Sequence, residues 1–322
     1  MNVLSLFDGI SCGQIALTRA GIKIDRYFAS EIDKNAIKVA QDNYPDTVQL
    51  GDVTKISYHN GVLKGESGEW KTEIQILLGG SPCQGFSCAG SGLNFEDPRS
   101  KLFFEYVRVL NELRAHNPNV LFLLENVRMK KEYLDIISSH LGVEPIKINS
   151  ALVSAQNRVR FYWTNLPNVS LPEDLGIQLS EIVDENYDGI WVYPRGANNG
   201  GIKDYKGKSP TVTTSSWQRN FLLFRGDAKR TFPRYPNGLP RIKQLEARKD
   251  NKSNCITCAK DDSLLLRPDG DYRHFSPVEV ERLQTVPEGY TKCLSDNMRY
   301  KCLGNGWTVD VIAHILKNAK IS

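Results

Sequence analysis

Cys83 follows Pro82 in the run Gly79-Gly80-Ser81-Pro82-Cys83-Gln84-Gly85-Phe86-Ser87, directly after the apolar stretch Ile74-Gln75-Ile76-Leu77-Leu78. A thiol brought to the end of a buried strand by a Gly-Gly-Ser-Pro turn lies where open α/β folds keep their chemistry, and nucleophilic addition is the reaction open to it. A lone cysteine is more often an inert packed side chain, so its partners decide the matter. Asp8, Glu31 and Asp52 each follow one of three successive strand-like runs. Asp8 lies in Phe7-Asp8-Gly9-Ile10-Ser11-Cys12-Gly13, where glycines permit close backbone approach and a helix N-terminus offers N–H groups to an anion. A carboxylate at Glu31 can take both ribose hydroxyls of a nucleoside, and Asp52 can accept from an adenine amino group. Three acids in register suit a nucleoside cofactor. Arg158 and Arg160 flank Val159 and therefore share one face of a strand.

These groups need a sheet to hold them. Strand-like runs at Val3–Phe7, Arg26–Ser30, Ile74–Leu78, Val120–Leu124 and Val159–Trp163 alternate with helical patterns at Asn35–Tyr44, Leu102–Leu113 and Glu132–Leu141. Such alternation predicts an α/β fold with a doubly wound, mostly parallel sheet. From about Pro172 the pattern breaks into short strands and Gly/Pro/Asn turns, and helical character returns at Ser276–Gln284 and Thr308–Asn318. The expected division is therefore a catalytic domain from residues 1–172 and 273–322, with a smaller β-rich lobe at 173–272. Within that lobe, Lys208–Thr214 before Phe221–Arg225 and Lys252–Cys258 before Leu264–Arg267 read as a short internal repeat.

The net charge of +4 is unevenly spread. Between Ile190 and Lys260 there are 15 Lys and Arg against 4 Asp and Glu, a net +11, which leaves −7 for the rest. Trp191, Tyr193, Tyr205, Trp217, Phe221, Phe232 and Tyr235 are interleaved with these cations, as a surface that reads a polyanion requires. No apolar run approaches membrane-spanning length and no leader pattern opens the chain, so a cytoplasmic protein is expected. Seven cysteines without a disulfide-like framework suit a reducing compartment. Cys255 and Cys258 have zinc-like spacing, but no second pair completes a site, so no metal is expected.

Phe7-Asp8-Gly9, Pro82-Cys83-Gln84, Glu125-Asn126-Val127, Gln156-Asn157-Arg158-Val159-Arg160, Arg282-Leu283-Gln284 and Gly304-Asn305 stand in the order of the motifs of the cytosine carbon-5 DNA methyltransferases, which the chain resembles. The likeness thins between about 175 and 270, the part that family uses to choose a DNA sequence. Phe7–Ile10 and Leu102-Phe103-Phe104-Glu105 are similar to the mammalian de novo enzymes, other segments to bacterial and phage ones. The compact length favours a bacterial or phage source.

The resemblance implies a Rossmann-like class I methyltransferase domain using S-adenosylmethionine, a target-recognition lobe, and double-stranded DNA as partner. It implies Cys83 as the thiolate that adds to carbon 6 of a flipped-out cytosine, Glu125 at the N3 edge, and Arg158 and Arg160 at O2, a phosphate and Glu125. The implied cofactor pocket comprises Phe7, Asp8, Gly9, Ile10, Glu31, Ile32, Asp52, Val53, Pro82, Leu102, Asn305 and Trp307, with Gly306 where a serine is commoner. Implied DNA contacts are Gln84, Ser87, Gln156 and Thr257, with Arg219, Arg241, Lys243 and Arg248 as candidates for phosphate or guanine contacts. A monomer on DNA and a cognate restriction endonuclease accompany this reading. Its rivals are an RNA cytosine methyltransferase, for which Thr257-Cys258 would offer the nucleophile, and a silent DNA-binding relative, which would lack the cysteine or the acid.

Overall fold

The structure is a computed structural model that describes residues 1–82, 101–184, 275–317 and 319, together with the backbone of short strands at 189–192, 209–210, 220–223, 264–266 and 272–274. The chain opens with β1 (Asn2–Leu6), α1 (Cys12–Arg19), β2 (Arg26–Ser30), α2 (Lys34–Asn43) and β3 (Val48–Gln49). A small antiparallel sheet follows: β4 (Ser57–His59), β5 (Val62–Gly65) and β6 (Gly68–Lys71). Next come β7 (Ile76–Gly79), α3 (Lys101–His116), β8 (Leu121–Val127), α4 (Lys131–Leu141), β9 (Ile146–Asn149), β10 (Gln156–Asn157) and β11 (Val159–Thr164). The strands β12 (Gly189–Val192), β13 (Ser209–Pro210), β14 (Asn220–Leu223), β15 (Leu264–Leu266) and β16 (Tyr272–His274) lead to α5 (Pro277–Leu283), α6 (Asp296–Asn305) and α7 (Val309–Leu316).

Seven strands form one sheet in the order β3-β2-β1-β7-β8-β11-β9, parallel except for β11, which runs antiparallel to both neighbours. All of β7 is buried, as is β1 after its first residue, the mark of a parallel sheet covered on both faces. Successive residues point to opposite faces, so neighbours divide between two cores. Val3, Ile76 and Leu78 join α1, α2 and α5–α7 on one face; Leu4, Leu6 and Leu77 join α3, α4 and the β4–β6 sheet on the other. The C-terminal helices thus complete the layer begun by α1. Helix α5 is set by Ser276, whose side chain accepts from the Glu279 amide while Glu279 returns to the Ser276 amide, with Pro277 at the first turn.

Strand order reverses between β1 and β7, the switch point at which open α/β sheets bind ligands beyond their carboxyl ends. In register, Leu6 lies beside Ser30 and Gly79, and Gly79 beside Leu124. The next residues, Phe7, Glu31, Gly80 and Glu125, therefore stand side by side along one edge. The doubly wound sheet agrees with expectation. The strand expected at Ile74–Leu78 runs instead from Ile76 to Gly79, and the β4–β6 sheet is an addition. The strands β12-β14-β15-β16 form a further sheet in which β14 and β15 lie parallel, Leu222 opposite Leu265.

Candidate active site

On the β7–β8–β11 side the site is made of buried charge. Glu125 leaves the sheet line at the carboxyl end of β8, and Arg160 reaches it from β11, with Nε 2.9 Å from Oε1. Both side chains are about one-tenth exposed. That Nε–H is not lined up on the carboxylate as a hydrogen bond, while Nη1 donates to the Val159 carbonyl at 2.9 Å. Asn126 is locked behind them, its amide donating to Ser81 Oγ at 3.1 Å and its oxygen accepting from the Val127 amide at 2.8 Å. Ser81 and Pro82 therefore approach the acid on β8. Gly80 permits this: a Cβ there would lie 2.9 Å from Trp307 Nε1 and 3.2 Å from Glu125 Oε2.

The expected shared face of the two arginines is present, since both are buried and Val159 is not. Their partners differ. Arg158 donates through Nη2 to the Gly306 carbonyl at 2.9 Å and so ties β11 to the segment carrying Trp307. A Cβ at Gly306 would meet Cys12 Sγ, Cys302 O and Leu303 O at 3.4 Å, so the commoner serine of the family could be seated with modest adjustment.

On the β1–β2–β3 side the site is shaped by backbone. Phe7, Gly9 and Ser11 have φ of 57°, 60° and 58°. Two of these are non-glycine residues in the left-handed region, where strain gathers at ligand sites. A Cβ at Gly9 would have nothing within 4 Å, so the turn faces open space there. Glu31 Oε2 accepts from the Gly9 amide at 2.8 Å, and Oε1 from the amides of Ile32 and Asp33, each at 2.8 Å. Beside it Ile32 is 73% exposed, an apolar platform at the lip of the crevice. Helix α1 has no side-chain cap, and its first residues Cys12, Gly13 and Gln14 are buried behind the turn. A strained glycine turn, a carboxylate and an exposed apolar plate are what an adenosyl amino acid would need. The residues fit S-adenosylmethionine.

The remaining expected pocket residues fall as follows. Asp52 is half-buried and caps the turn after β3, accepting from Thr54 N at 2.9 Å, with Val53 buried behind it. Pro82, Leu102 and Trp307 are half-buried, Asn305 is exposed at the end of α6, and Ile10 is 1% exposed. Ile10 serves through its carbonyl, which accepts from the Tyr290 hydroxyl at 2.8 Å. Asp8 turns its carboxylate inward, to Tyr27 and Ser11.

Gln156, implied as a DNA contact, lies inside the protein. It is fully buried and donates to the Leu283 carbonyl at 3.0 Å and Gln284 Oε1 at 3.1 Å, so it knits β10 to α5. Its partner Gln284 also donates to the Leu303 carbonyl at 2.6 Å and accepts from Thr308 Oγ1 at 3.0 Å. Arg282 ties α5 to the segment after β11, donating to the Ile182 carbonyl at 2.8 Å and Asp184 at 2.5 Å. Sequence reasoning missed Tyr27, a tyrosine within the strand-like run Arg26–Ser30, and Tyr290, which stands in a Pro-Glu-Gly turn with no signal of its own. Cys83, Gln84, Ser87, Arg219, Arg241, Lys243, Arg248, Cys255, Thr257 and Cys258 lie outside the described residues. Among those described, no three His, Cys, Asp or Glu side chains gather to hold a metal, and no helix is long and apolar enough to cross a membrane.

A sequence profile of the C-5 cytosine-specific DNA methylase family matches residues 1–320. Type II methyltransferase M1.ScrFI of Lactococcus lactis subsp. cremoris is 29% identical over 339 residues, covering 97% of this chain and 76% of that protein. Type II methyltransferase M.NlaX of Neisseria lactamica is 27% identical over 338 residues, covering 99% and 96%. Among solved structures, the Entamoeba histolytica methyltransferase EhMeth shares the fold with a TM-score of 0.64 at 18% identity, over 100% of this chain and 99% of that one. The chain belongs to the C-5 cytosine-specific DNA methylase family, and is thus an S-adenosylmethionine-dependent enzyme that methylates carbon 5 of cytosine in DNA.

Proposed function

We propose that this enzyme modifies a fixed sequence in duplex DNA, by covalent addition of Cys83 to carbon 6 of a cytosine swung out of the helix. The observation that carries this is the buried Glu125–Arg160 pair beside Gly80–Pro82, one residue before Cys83 in the chain. Carbon 5 of cytosine is a poor nucleophile, and a thiolate bonded to carbon 6 makes it enamine-like. Glu125 holds the N3 edge and supports its protonation as the thiolate adds, while Arg160 steadies that carboxylate and offers its guanidinium to O2. Once carbon 5 carries the methyl group it loses its proton, the carbon–sulfur bond breaks, and Cys83 leaves as thiolate. The cofactor supplies an electrophilic sulfonium methyl. Glu31, Gly9 and Ile32 would hold its nucleoside and amino-acid ends, and Trp307 separates that crevice from Glu125.

Residues 1–172 and 273–322 act as the catalytic domain in this reading, and 173–272 as the lobe that grips DNA and chooses the site. The +11 between Ile190 and Lys260 supports it. The enzyme works as a monomer on DNA in a bacterial or phage-infected cytoplasm, alongside a cognate restriction endonuclease where one is carried.

A duplex with 5-fluorocytosine at the target tests the nucleophile, because fluorine cannot leave as a proton. With S-adenosylmethionine present the enzyme should form a denaturation-resistant adduct, and Cys83→Ser should form none. An undiminished adduct in that variant, or one mapping to Cys258, would overturn the assignment.

A further inference from the structure

Left-handed backbone at Phe7 and Ser11 persists only if the surroundings impose it. Between these two residues stands the Asp8 carboxylate, 8% exposed. Its Oδ1 accepts from the Tyr27 hydroxyl at 2.7 Å and its Oδ2 from the Ser11 hydroxyl. Gln14 Nε2 donates to Ser11 Oγ at 3.3 Å and Thr47 Oγ1 at 2.7 Å, which orients the serine toward Asp8. Ser11 sits at the N-cap of α1 yet gives the helix no side-chain cap. Gly13 keeps the seat clear: a Cβ there would lie 2.6 Å from the Tyr27 hydroxyl.

We propose that Asp8 is a positioning residue for methyl transfer, which clasps Tyr27 and Ser11 and thereby fixes the Phe7–Ser11 turn in the shape that receives the cofactor. This rests on the reading that the turn holds S-adenosylmethionine. It assigns the side chain a role behind the turn, and direct contact with the cofactor is left to the backbone.

The clasp is sensitive to pH. The titratable groups around Asp8 are Tyr27 of β2, Cys12 at the start of α1, Glu31 after β2 and Tyr290 before α6. Burial holds both tyrosines well above their usual range and lifts the Cys12 thiol to about 12, so these stay neutral. Burial also pushes Asp8 up to about 6, from 3.8. Ionised, it accepts from both hydroxyls; protonated, it must donate, and one hydroxyl loses its acceptor. Cofactor affinity therefore falls as pH drops through about 6. Fold stability moves the opposite way, because the folded chain binds this proton more tightly than the unfolded chain: the contribution is fully present below about 3.8 and lost as pH rises through about 6.

Calorimetry of S-adenosylmethionine binding from about pH 5 to 8 tests this on the full chain and on Asp8→Asn, Tyr27→Phe and Glu31→Gln, with circular dichroism to confirm folding. Wild type should lose about tenfold in affinity across the range. Asp8→Asn should bind about tenfold more weakly at neutral pH, without the inflection near 6, and in turnover assays the cofactor KM should rise more than kcat falls. Tyr27→Phe should shift the inflection upward, having removed a donor to the ionised form. Glu31→Gln should weaken binding and keep the inflection. Wild-type affinity and profile in Asp8→Asn overturn the proposal; if that variant does not fold, an unchanged Tyr27→Phe does so. An inflection lost in Glu31→Gln assigns the titration to Glu31 and also overturns it. Wild-type affinity in Glu31→Gln refutes the cofactor pocket itself, and the proposal with it.

Discussion

The two sides of the switch between β1 and β7 reach similar burial by different means. On the β1–β2 side a strained turn is propped by hydroxyls and an inward acid, and Glu31 holds the Gly9 amide beside it. On the β8–β11 side the backbone is ordinary strand, and the chemistry sits in side chains of full charge, Glu125 and Arg160. A cofactor that must bind, react and leave is matched by a surface whose shape is set from behind. A neutral base that must be activated is matched by charges kept from water, where their effect is stronger. Damage to the first side should therefore appear mainly in affinity, and damage to the second in stability and rate together.

The largest effect expected is from Arg160→Met. Removing one member of a buried ion pair leaves the other uncompensated, at a cost of about 3–5 kcal/mol. Denaturant titration should show a loss of that order, and single-turnover methylation should slow by about a hundredfold or more. A variant as stable as wild type would show that Glu125 is well solvated without its partner, and the contrast between the sides would fail.

Gly80→Ala strikes where the sides meet. Its Cβ would press on Trp307 Nε1 at 2.9 Å and Glu125 Oε2 at 3.2 Å, so one of them must move. Overpacking of this kind costs about 1–3 kcal/mol. Cofactor affinity and methylation rate should fall together. Loss of rate with unchanged affinity would mean that Trp307 yields freely, and would place the indole outside the cofactor pocket.

The same contrast sets what could be read from sequence. Strand ends were legible because parallel strands buried on both faces read as apolar runs, and the acids that follow them fall in register. Thus the places of Glu31 and Glu125, each just past the register of a central strand, could be read from the sequence. What escaped depends on tertiary partners. Gly13 reads as a phosphate-loop glycine, whereas its lack of a side chain makes room for Tyr27, fourteen residues on. Gln156 reads as a surface amide because nothing local reveals that Leu283 and Gln284 wait for it. The β4–β6 sheet is short and polar on one side, and its one clear signal, the Asn60-Gly61 pair with φ of 53° and 76° between β4 and β5, marks a hairpin that apolar periodicity passes over.

The smallest effects should separate Glu31 from Asp52, two acids that sequence treats alike. Glu31 accepts three backbone amides, one of them from Gly9 in the strained turn, so its removal deforms the pocket as well as deleting a ligand group. Glu31→Ala should weaken S-adenosylmethionine binding by about 2–3 kcal/mol, the range for charge-assisted hydrogen bonds left without an acceptor. Asp52 accepts one amide, from Thr54, in a local cap, and its own N–H is held by Glu66 at 3.0 Å whatever its side chain. Asp52→Ala should therefore leave the backbone in place and cost about 1 kcal/mol, the worth of a single contact to the base end of the cofactor. Calorimetry on both variants decides the ranking. A larger loss at Asp52 than at Glu31 would mean that the adenine end dominates binding, and that the shaped turn contributes less than its strain implies.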